Sequence, residues 1–502
     1  MTNADTPTFL SYGRCARSTS PYGVRPKSID EVQQIFSQAA REKRHVTMRG
    51  GGHSFDGQAI PGDDSIALMT DCFNDIKIDK ANLKMTVGAG ATWGRILQEC
   101  LAEGVIPWII QTGSKATAGG TLAGDVLSRF SRRESVSIES FYFVPVNGKA
   151  VHCNRAEPPG LFNAVIGGLG YLGFVTDITY RLLPIEKDYC VYTEVEAYDN
   201  LPSLINAQSS HSRNSAIAED KAKLLSGDPG MRMMSSNLTT CATEALLAVS
   251  SAEFMSLTDP SKIKGAVFKS SYAKRQPGIP LPEFPLYANL DSPGRIATEL
   301  GARDDFFDSC FHEAAYVYVQ AFRKFENKIP DFTFFMDGNA NAKAYFEKNN
   351  HGKYMPIIQQ TWVIPAGRIL DFANVCVSKL IETKLHPTEF DILFVNADDC
   401  LMSANRGQAG FALSIAFENF DPADQCPPSK IEKFLREMSR ISIDFSGRIH
   451  LVKNVYADPD VFEHMFSGGL EPFLDFKYQF DPDFILRNPF FDRLFIGRRG
   501  NS

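Results

Sequence analysis

The stretch Ile166–Tyr180, IGGLGYLGFVTDITY, places Gly168, Gly170 and Gly173 in a G-x-G-x-x-G spacing. Its reading decides the fold. In a doubly wound dinucleotide-binding unit such a turn leaves a strand and opens a helix, with an acidic residue about 20 positions later. Here the flanks are reversed. The preceding LFNAVI (161–166) reads as the end of a helix. The following FVTDITYRLLP (174–184) is rich in Phe, Val, Thr, Ile and Tyr, which favour a strand, and Pro184 ends it. Val175, Ile178 and Leu182 form no helical face. A Rossmann unit, and with it an NAD-dependent dehydrogenase, is therefore not predicted. The glycines still predict a backbone lying close to something, either a neighbouring strand or a ligand.

Upstream, residues 26–60 read PKSIDEVQQIFSQAAREKRHVTMRGGGHSFDGQAI. Asp30 is a candidate N-cap, and Val32, Ile35, Phe36 and Ala39 fall at helical spacing. The short β-like run HVTMR (45–49) ends in three glycines. Helix, strand and glycine-rich loop in succession mark mixed α/β architecture. DIKIDK (75–80) and KMTVGAGAT (84–92) predict a hairpin around Ala81-Asn82, and TWGRILQECLAEG (92–104) a helix stopping at Gly104. Two further β-like runs meet at Asn147-Gly148, a hairpin signal. Beyond Pro184 the character changes: residues 186–350 read as irregular, with loop-like stretches such as 274–294. Residues 351–456 alternate strands and helices and predict a second unit on a mostly antiparallel sheet. The last ~45 residues read as a packed tail.

The segment that carries chemistry is MRGGGHSFDG (48–57). The run Gly50, Gly51, Gly52 leaves successive backbone N–H groups free of side chains, a nest able to wrap a pyrophosphate. Arg49 can add a charge-assisted bond, and His53 and Ser54 close the loop. The pattern R-G-G-G-H-S, preceded by RPKSIDEVQQI and followed by TVGAGATWGRIL, resembles the FAD-binding domain of the vanillyl-alcohol-oxidase (PCMH-type) superfamily. The resemblance is nearest to berberine-bridge-type, alditol and decaprenylphosphoryl-ribose oxidases. It extends well over residues ~20–185, moderately over ~440–490 and weakly over the middle.

The resemblance implies an α+β fold: a two-subdomain FAD-binding domain of the PCMH type, plus a substrate domain with a mostly antiparallel sheet flanked by helices. The implied organisation is residues 1–185 for FAD, 186–454 for substrate, and 455–502 returning to the FAD-binding domain. It implies FAD as cofactor, bonded covalently through His53. Where some relatives carry a second linking cysteine this chain has Lys115, so a single link is implied. The second flavin loop corresponds to Thr112, Gly113, Thr117, Ala118, Gly119, Gly120, Leu122, Gly124 and Asp125. Gly170, Gly173 and Val175 correspond to positions near the adenine end. In IHLVKN, Lys453 matches the active-site lysine beside the flavin, and Gln359 matches a polar position of the substrate pocket. His450 is a candidate base. In a continuous strand His450 and Lys453 would face opposite sides, so only a loop or bulge at Val452 lets both reach the flavin. Asp398-Asp399 reads as a solvated loop. VLSRFSRRES (126–135) and LFVNADD (393–399) depart from the ribose-oxidase pattern and argue against a phosphoryl-ribose substrate.

The expected function is oxidation of a C–H next to a hydroxyl of a sugar-type or other alcohol, with hydride passing to flavin N5. Two other classes compete: an oxidative cyclase acting on a hydrophobic natural product, and a flavin-carrying protein without turnover. The expected partners are a small-molecule substrate and oxygen or another electron acceptor. A net charge of −7, with 44% hydrophobic and 22% charged residues, argues against a nucleic-acid or anionic-membrane binder. No run of about 18 apolar residues occurs, so no stable membrane insertion is expected. The ten cysteines form no C-x-x-C and there is no H-E-x-x-H, which argues against a zinc site or disulfide scaffold. Free thiols in the cytoplasm are expected, since the N-terminus shows no secretory signal.

Overall fold

The computed structural model describes residues 9–20, 22–109, 111, 113, 115–127, 133–184, 189–217, 239–247, 258–263, 265–274, 329–330, 357–385, 387, 389–417 and 428–496. The first described strands, β1 (Phe9–Leu10) and β2 (Arg17–Ser18), form a small antiparallel pair. A parallel sheet follows, in the order β3 (Gly23–Val24), β5 (Ile66–Met69), β4 (Val46–Arg49). Helix α1 (Ile29–Glu42) crosses between β3 and β4 and buries Val32, Phe36 and Ala39. Its N-cap is Ser28 rather than Asp30. The Ser28 hydroxyl accepts from Glu31 N, while the Glu31 carboxylate accepts from Lys27 N. Ser followed three residues later by Glu is a capping pair, and Asp30 instead lies inside the first turn, where its charge suits the helix dipole.

A six-stranded antiparallel sheet forms the second layer. Its path is β10 (Val151–Asn154), β9 (Ile138–Pro145), β11 (Gly173–Pro184), β7 (Lys84–Gly88), β6 (Ile76–Asp79), with β8 (Val105–Pro107) pairing β11. The β6–β7 hairpin forms as predicted. Helix α2 (Trp93–Ala102) packs beside it and ends before Gly104, whose φ is +72°. Trp93, Phe141, Phe143 and Tyr180 are fully buried in this core. Helix α3 (Ala118–Gly124) is capped by Thr117, and α4 (Leu161–Val165) leads into the opening stretch.

That stretch enters a strand, not a helix. Gly173 begins the 12-residue β11, whose Gly173 pairs with Pro145 and Phe174 with Val144. A Cβ on Gly173 would lie 2.4 Å from the Phe143 ring and 2.6 Å from the Val144 carbonyl, so the strand pairing itself requires glycine. Gly170 adopts φ +77°, a turn conformation that side chains resist.

The third sheet has eight strands, all antiparallel among the described residues. Its order is β15 (Ile329–Pro330), β12 (Tyr189–Tyr198), β14 (Gly265–Lys274), β13 (Thr239–Leu247), β17 (Glu389–Val395), β18 (Gly410–Phe417), β16 (Ile358–Pro365), β19 (Arg448–Ile449). Helices α5 (Leu201–Ile217), α6 (Ile369–Thr383) and α7 (Ser429–Asp444) accompany it. The reading of 186–350 as irregular is therefore corrected for its described part: β12, β13, β14, β15 and α5 all lie within it. The loop-like stretch from Arg275 to Gly294 lies outside the described residues.

The chain ends its described course on the N-terminal sheets. Helix α8 (Pro459–Phe480) contacts α4, and Leu486 bridges Val46 of β4. Lys477 is fully buried, and its ammonium donates to Asp481, the Tyr171 carbonyl and the Leu486 carbonyl at 2.6, 2.7 and 2.6 Å. All three N–H donors are thus satisfied, the condition for a cation to sit in a core. Asn488 reaches the carbonyls of Gly57, Gln58 and Ile60. Among the cysteines, Cys15 is disulfide-bonded, while Cys72, Cys100, Cys153, Cys376 and Cys400 are free. The expectation of free thiols throughout fails at Cys15, because spacing along a chain does not show which sulfurs meet in space. No helix among the described residues is long and apolar enough to cross a membrane.

Candidate cofactor and substrate site

A cavity of about 290 Å³ opens where the glycine loop after β4, the loop into α3, the start of β11 and the face of the eight-stranded sheet converge. One side is largely backbone. Gly50, Gly51, Gly52, His53 and Ser54 line it, with Gly113, Thr117, Gly119, Gly120, Leu122 and Gly124 opposite. Gly170, Gly173 and Val175 complete that side. Two positions show how closely the walls are drawn. A Cβ on Gly51 would meet the Lys115 carbonyl at 2.1 Å, and one on Gly124 would meet Val452 Cγ1 at 2.2 Å.

The His53 ring stacks on Tyr12, centroids 5.1 Å apart and planes at 22°. Tyr12 N donates to the Ser54 carbonyl at 2.8 Å, which fixes the N-terminal segment over the glycine loop. Three sequence-predicted residues lie elsewhere. The Arg49 guanidinium donates to the carbonyls of Ala59 and Leu10 and does not line the cavity. Ala118 is fully buried behind the wall. Asp125 is fully buried too, accepts from Ser135 N at 3.0 Å and faces Arg133. Thr112 lies outside the described residues.

The other side of the cavity belongs to the eight-stranded sheet and carries polar side chains among apolar ones such as Leu393 and Ala412. Gln359 and Thr361 of β16, Asp391 of β17 and Ser414 of β18 line it. The register pairs Asp391 with Ser414 and Ser414 with Thr361, so the three form one row across neighbouring strands. The Thr361 and Ser414 hydroxyls bond to each other. His450 and Lys453 both line the cavity as well. β19 stops at Ile449, and the chain then turns through His450–Lys453 instead of continuing extended. The turn is pinned from two sides. Gln58 Nε2 donates to the Leu451 and Lys453 carbonyls, Phe55 N donates to the Val452 carbonyl, and Asn454 exchanges backbone and side-chain bonds with Gln359.

Lys453 Nζ donates to Gln359 Oε1 at 2.7 Å and lies 4.0 Å from the centre of the Phe55 ring. His450 is buried. Desolvation, reinforced by Arg133 and Lys453, holds its imidazole well below the usual range, so the ring is neutral and resists protonation, which counts against the sequence expectation of a base. Asp398 is buried rather than solvated. It accepts from Cys400 N and Ser403 Oγ and lies 3.1 Å from Arg133 Nε. Asp399 is exposed. Tyr12, Phe55, Gln58, Gln111, Thr361, Asp391 and Ser414 were not singled out from sequence. A period-2 reading of β16–β18 places Gln359, Thr361 and Val363 on one face, and only that periodicity signals the polar row.

Do these residues fit FAD? The backbone-lined half suits a large anionic dinucleotide, because it brings N–H groups rather than side chains to the cavity. The Thr70 hydroxyl lines the same half and is a buried polar atom without a partner, as a ligand-contacting group would be in the free protein. The residues fit the cofactor. A cradle of glycine loops facing an antiparallel sheet with polar side chains is the arrangement of a dinucleotide-binding protein. Residues 21–154 match the FAD binding domain family, and residues 304–494 match the D-arabinono-1,4-lactone oxidase family. Both matches, and the curated relatives below, are consistent with an FAD-linked oxidoreductase of the vanillyl-alcohol-oxidase (PCMH-type) kind.

Among curated proteins it is similar to cytokinin dehydrogenase 8 of Oryza sativa, 32% identical over 178 residues, 32% of this chain and 34% of that one. It is similar to cytokinin dehydrogenase 2 of Arabidopsis thaliana, 28% identical over 186 residues, 35% and 37% of the two chains. A D-lactate dehydrogenase of Archaeoglobus fulgidus is 28% identical over 178 residues, 34% and 40%. The chain thus spans between 34% and 40% of the length of these relatives.

Proposed function

We propose that this protein is an FAD-dependent oxidase or dehydrogenase. It oxidises the C–H next to a hydroxyl of a sugar-type or other polar alcohol, with the flavin held covalently by His53. When bound, FAD supplies the two-electron acceptor that takes the hydride. His450, which lines the cavity with a neutral ring, is the acceptor proposed for the hydroxyl proton, and substrate binding has to offset the burial that disfavours its charged form. Lys453 carries positive charge at the cavity, held in place by Gln359 and the Phe55 face, where it stabilises negative charge developing on the cofactor. Gln359, Thr361, Asp391 and Ser414 orient the substrate through its hydroxyl groups, and Tyr12 stacks on His53 to fix the ring for attachment.

The observation that carries this reading is the polar wall. Six hydrogen-bonding side chains (Gln359, Thr361, Asp391, Ser414, His450, Lys453) converge on the sheet side of one cavity. Such a wall can exchange hydrogen bonds with a hydroxylated substrate, which a hydrophobic one cannot do. Because the relatives are matched over about a third of their length, the activity itself rests on this geometry. The test has two measurements. Acid precipitation of the purified protein is expected to leave flavin in the pellet, and His53→Ala to move it to the supernatant. Anaerobic addition of polyols is expected to bleach the visible flavin band. Flavin wholly in the wild-type supernatant would remove the covalent link. A band that responds to polycyclic apolar donors and not to polyols would remove the substrate class.

A further inference from the structure

Gln111 and Thr121 both line the cavity, and both are hydrogen-bonded to one carboxyl group behind the wall. That group is Glu134, fully buried. Its Oε2 accepts from Gln111 Nε2 at 3.1 Å. Its Oε1 lies 2.9 Å from Thr121 Oγ1 and accepts from the Tyr180 hydroxyl. Gln111 is itself 1% exposed. With its NH₂ turned to Glu134, the amide directs its carbonyl oxygen away from that carboxyl group. A carboxylate can only accept, so it fixes which end of the amide faces it.

We propose that Glu134 is a positioning residue for the bound flavin dinucleotide: it holds Gln111 so that the cavity wall presents a hydrogen-bond acceptor to an N–H or O–H of the cofactor. This rests on the FAD reading above. The arrangement does not depend on whether Glu134 carries a proton. Burial pushes this carboxyl up to about 8, so both forms occur near neutrality. A proton on Oε1 has its own acceptor in Thr121 Oγ1, which also takes the Trp93 indole N–H at 2.8 Å. The Thr121 hydroxyl then donates to the Ala118 or Thr117 carbonyl, 3.1 and 3.2 Å away. Oε2 stays an acceptor in either form, and Gln111 keeps its orientation.

The experiment is a double-mutant cycle on FAD affinity. Every protein in the cycle, the reference included, carries His53→Ala so that binding is reversible; each is expressed under riboflavin depletion and titrated with FAD, and quenching of flavin fluorescence is followed. Gln111→Leu and Glu134→Ala are each expected to weaken binding about tenfold, the equivalent of one buried hydrogen bond left unmade. The double variant is expected to lose no more than the worse single one, because Glu134 acts through Gln111. Glu134→Gln, whose side-chain oxygen can still accept from Gln111, is expected to restore most of the affinity. Additive losses, or undiminished binding by Gln111→Leu, would overturn the proposal. If Glu134→Ala does not fold, Glu134→Met, which fills more of the space, takes its place in the cycle. Wild-type protein that takes up no FAD would overturn the cofactor reading as well, whereas equal binding by the reference and Gln111→Leu would sink this inference only.

Discussion

At the scale of single residues, the cavity is shaped as much by missing side chains as by present ones. Gly124 ends α3 against Val452, in the turn that carries His450 and Lys453. A methyl group there would lie 2.2 Å from Val452 Cγ1, so Gly124→Ala must push the turn away from the flavin loop. Overpacking of this kind typically costs about 1–3 kcal/mol. The expected outcome is a lowered melting temperature together with a fall in kcat much larger than that at an equally buried site away from the cavity. A Gly124→Ala protein with unaltered turnover would show that the turn has room to yield. His450 and Lys453 illustrate the same dependence on backbone. From sequence alone they alternate like strand residues and point apart. Only the pins supplied by Gln58, Phe55 and Asn454 curl the chain so that both reach one cavity.

At the scale of elements, local pattern and long-range pattern had different visibility in the sequence. The reversal of helix and strand around Gly168–Gly173 was legible because strand propensity and Pro184 act within a few residues. The β6–β7 hairpin and the stop at Gly104 were legible for the same reason. The strands within 186–350 were not, because antiparallel partners such as β13 and β17 are separated by far more chain than any local window covers. Arg49 has neighbours in sequence that suggest an anion site, while the partners of its guanidinium, Leu10 and Ala59, come from other segments that no local reading reaches. The buried element around Glu134 has its own consequence. Its carboxyl titrates at about 8 in the folded chain, against about 4.3 for an exposed glutamate. The main cause is burial, and Asp125 adds to it. The folded state therefore binds the proton more tightly than the unfolded one. Its contribution is fully present below the unfolded value and is lost as pH rises to about 8. Wild-type stability is expected to fall over that interval by on the order of 3–5 kcal/mol relative to Glu134→Gln. Denaturant melts of the two proteins at several pH values measure it. Parallel curves would mean that the carboxyl is ionised throughout.

At the scale of the whole molecule, one side chain joins the end of α3 to the loop between β17 and β18 of the eight-stranded sheet. Arg133, 1% exposed, donates to the Asp125 carbonyl at 2.6 Å and to Asn405 Oδ1 at 2.9 and 2.6 Å, and lies 3.1 Å from Asp398. Asp125 caps α3, while Asp398 and Asn405 belong to the loop between β17 and β18. Arg133→Met would leave two buried carboxylates unanswered, and losing one partner of a buried pair typically costs about 3–5 kcal/mol. Thermal unfolding is expected to show that loss, and Asp398→Asn in the same chain to recover part of it. Full stability in the single variant would mean that both acids are already protonated. The return of the chain to its starting domain bears on synthesis. His53 and Lys453 face one cavity, yet roughly 400 residues separate them. At about 5–20 residues per second, the second half of the site leaves the ribosome on the order of half a minute after the first. Until then the glycine loops have no opposing wall, and Gly57, Gln58 and Ile60 lack the Asn488 amide that ties them down. Cofactor capture is thus a late event in the life of the chain, and a ribosome-bound N-terminal half should emerge without flavin.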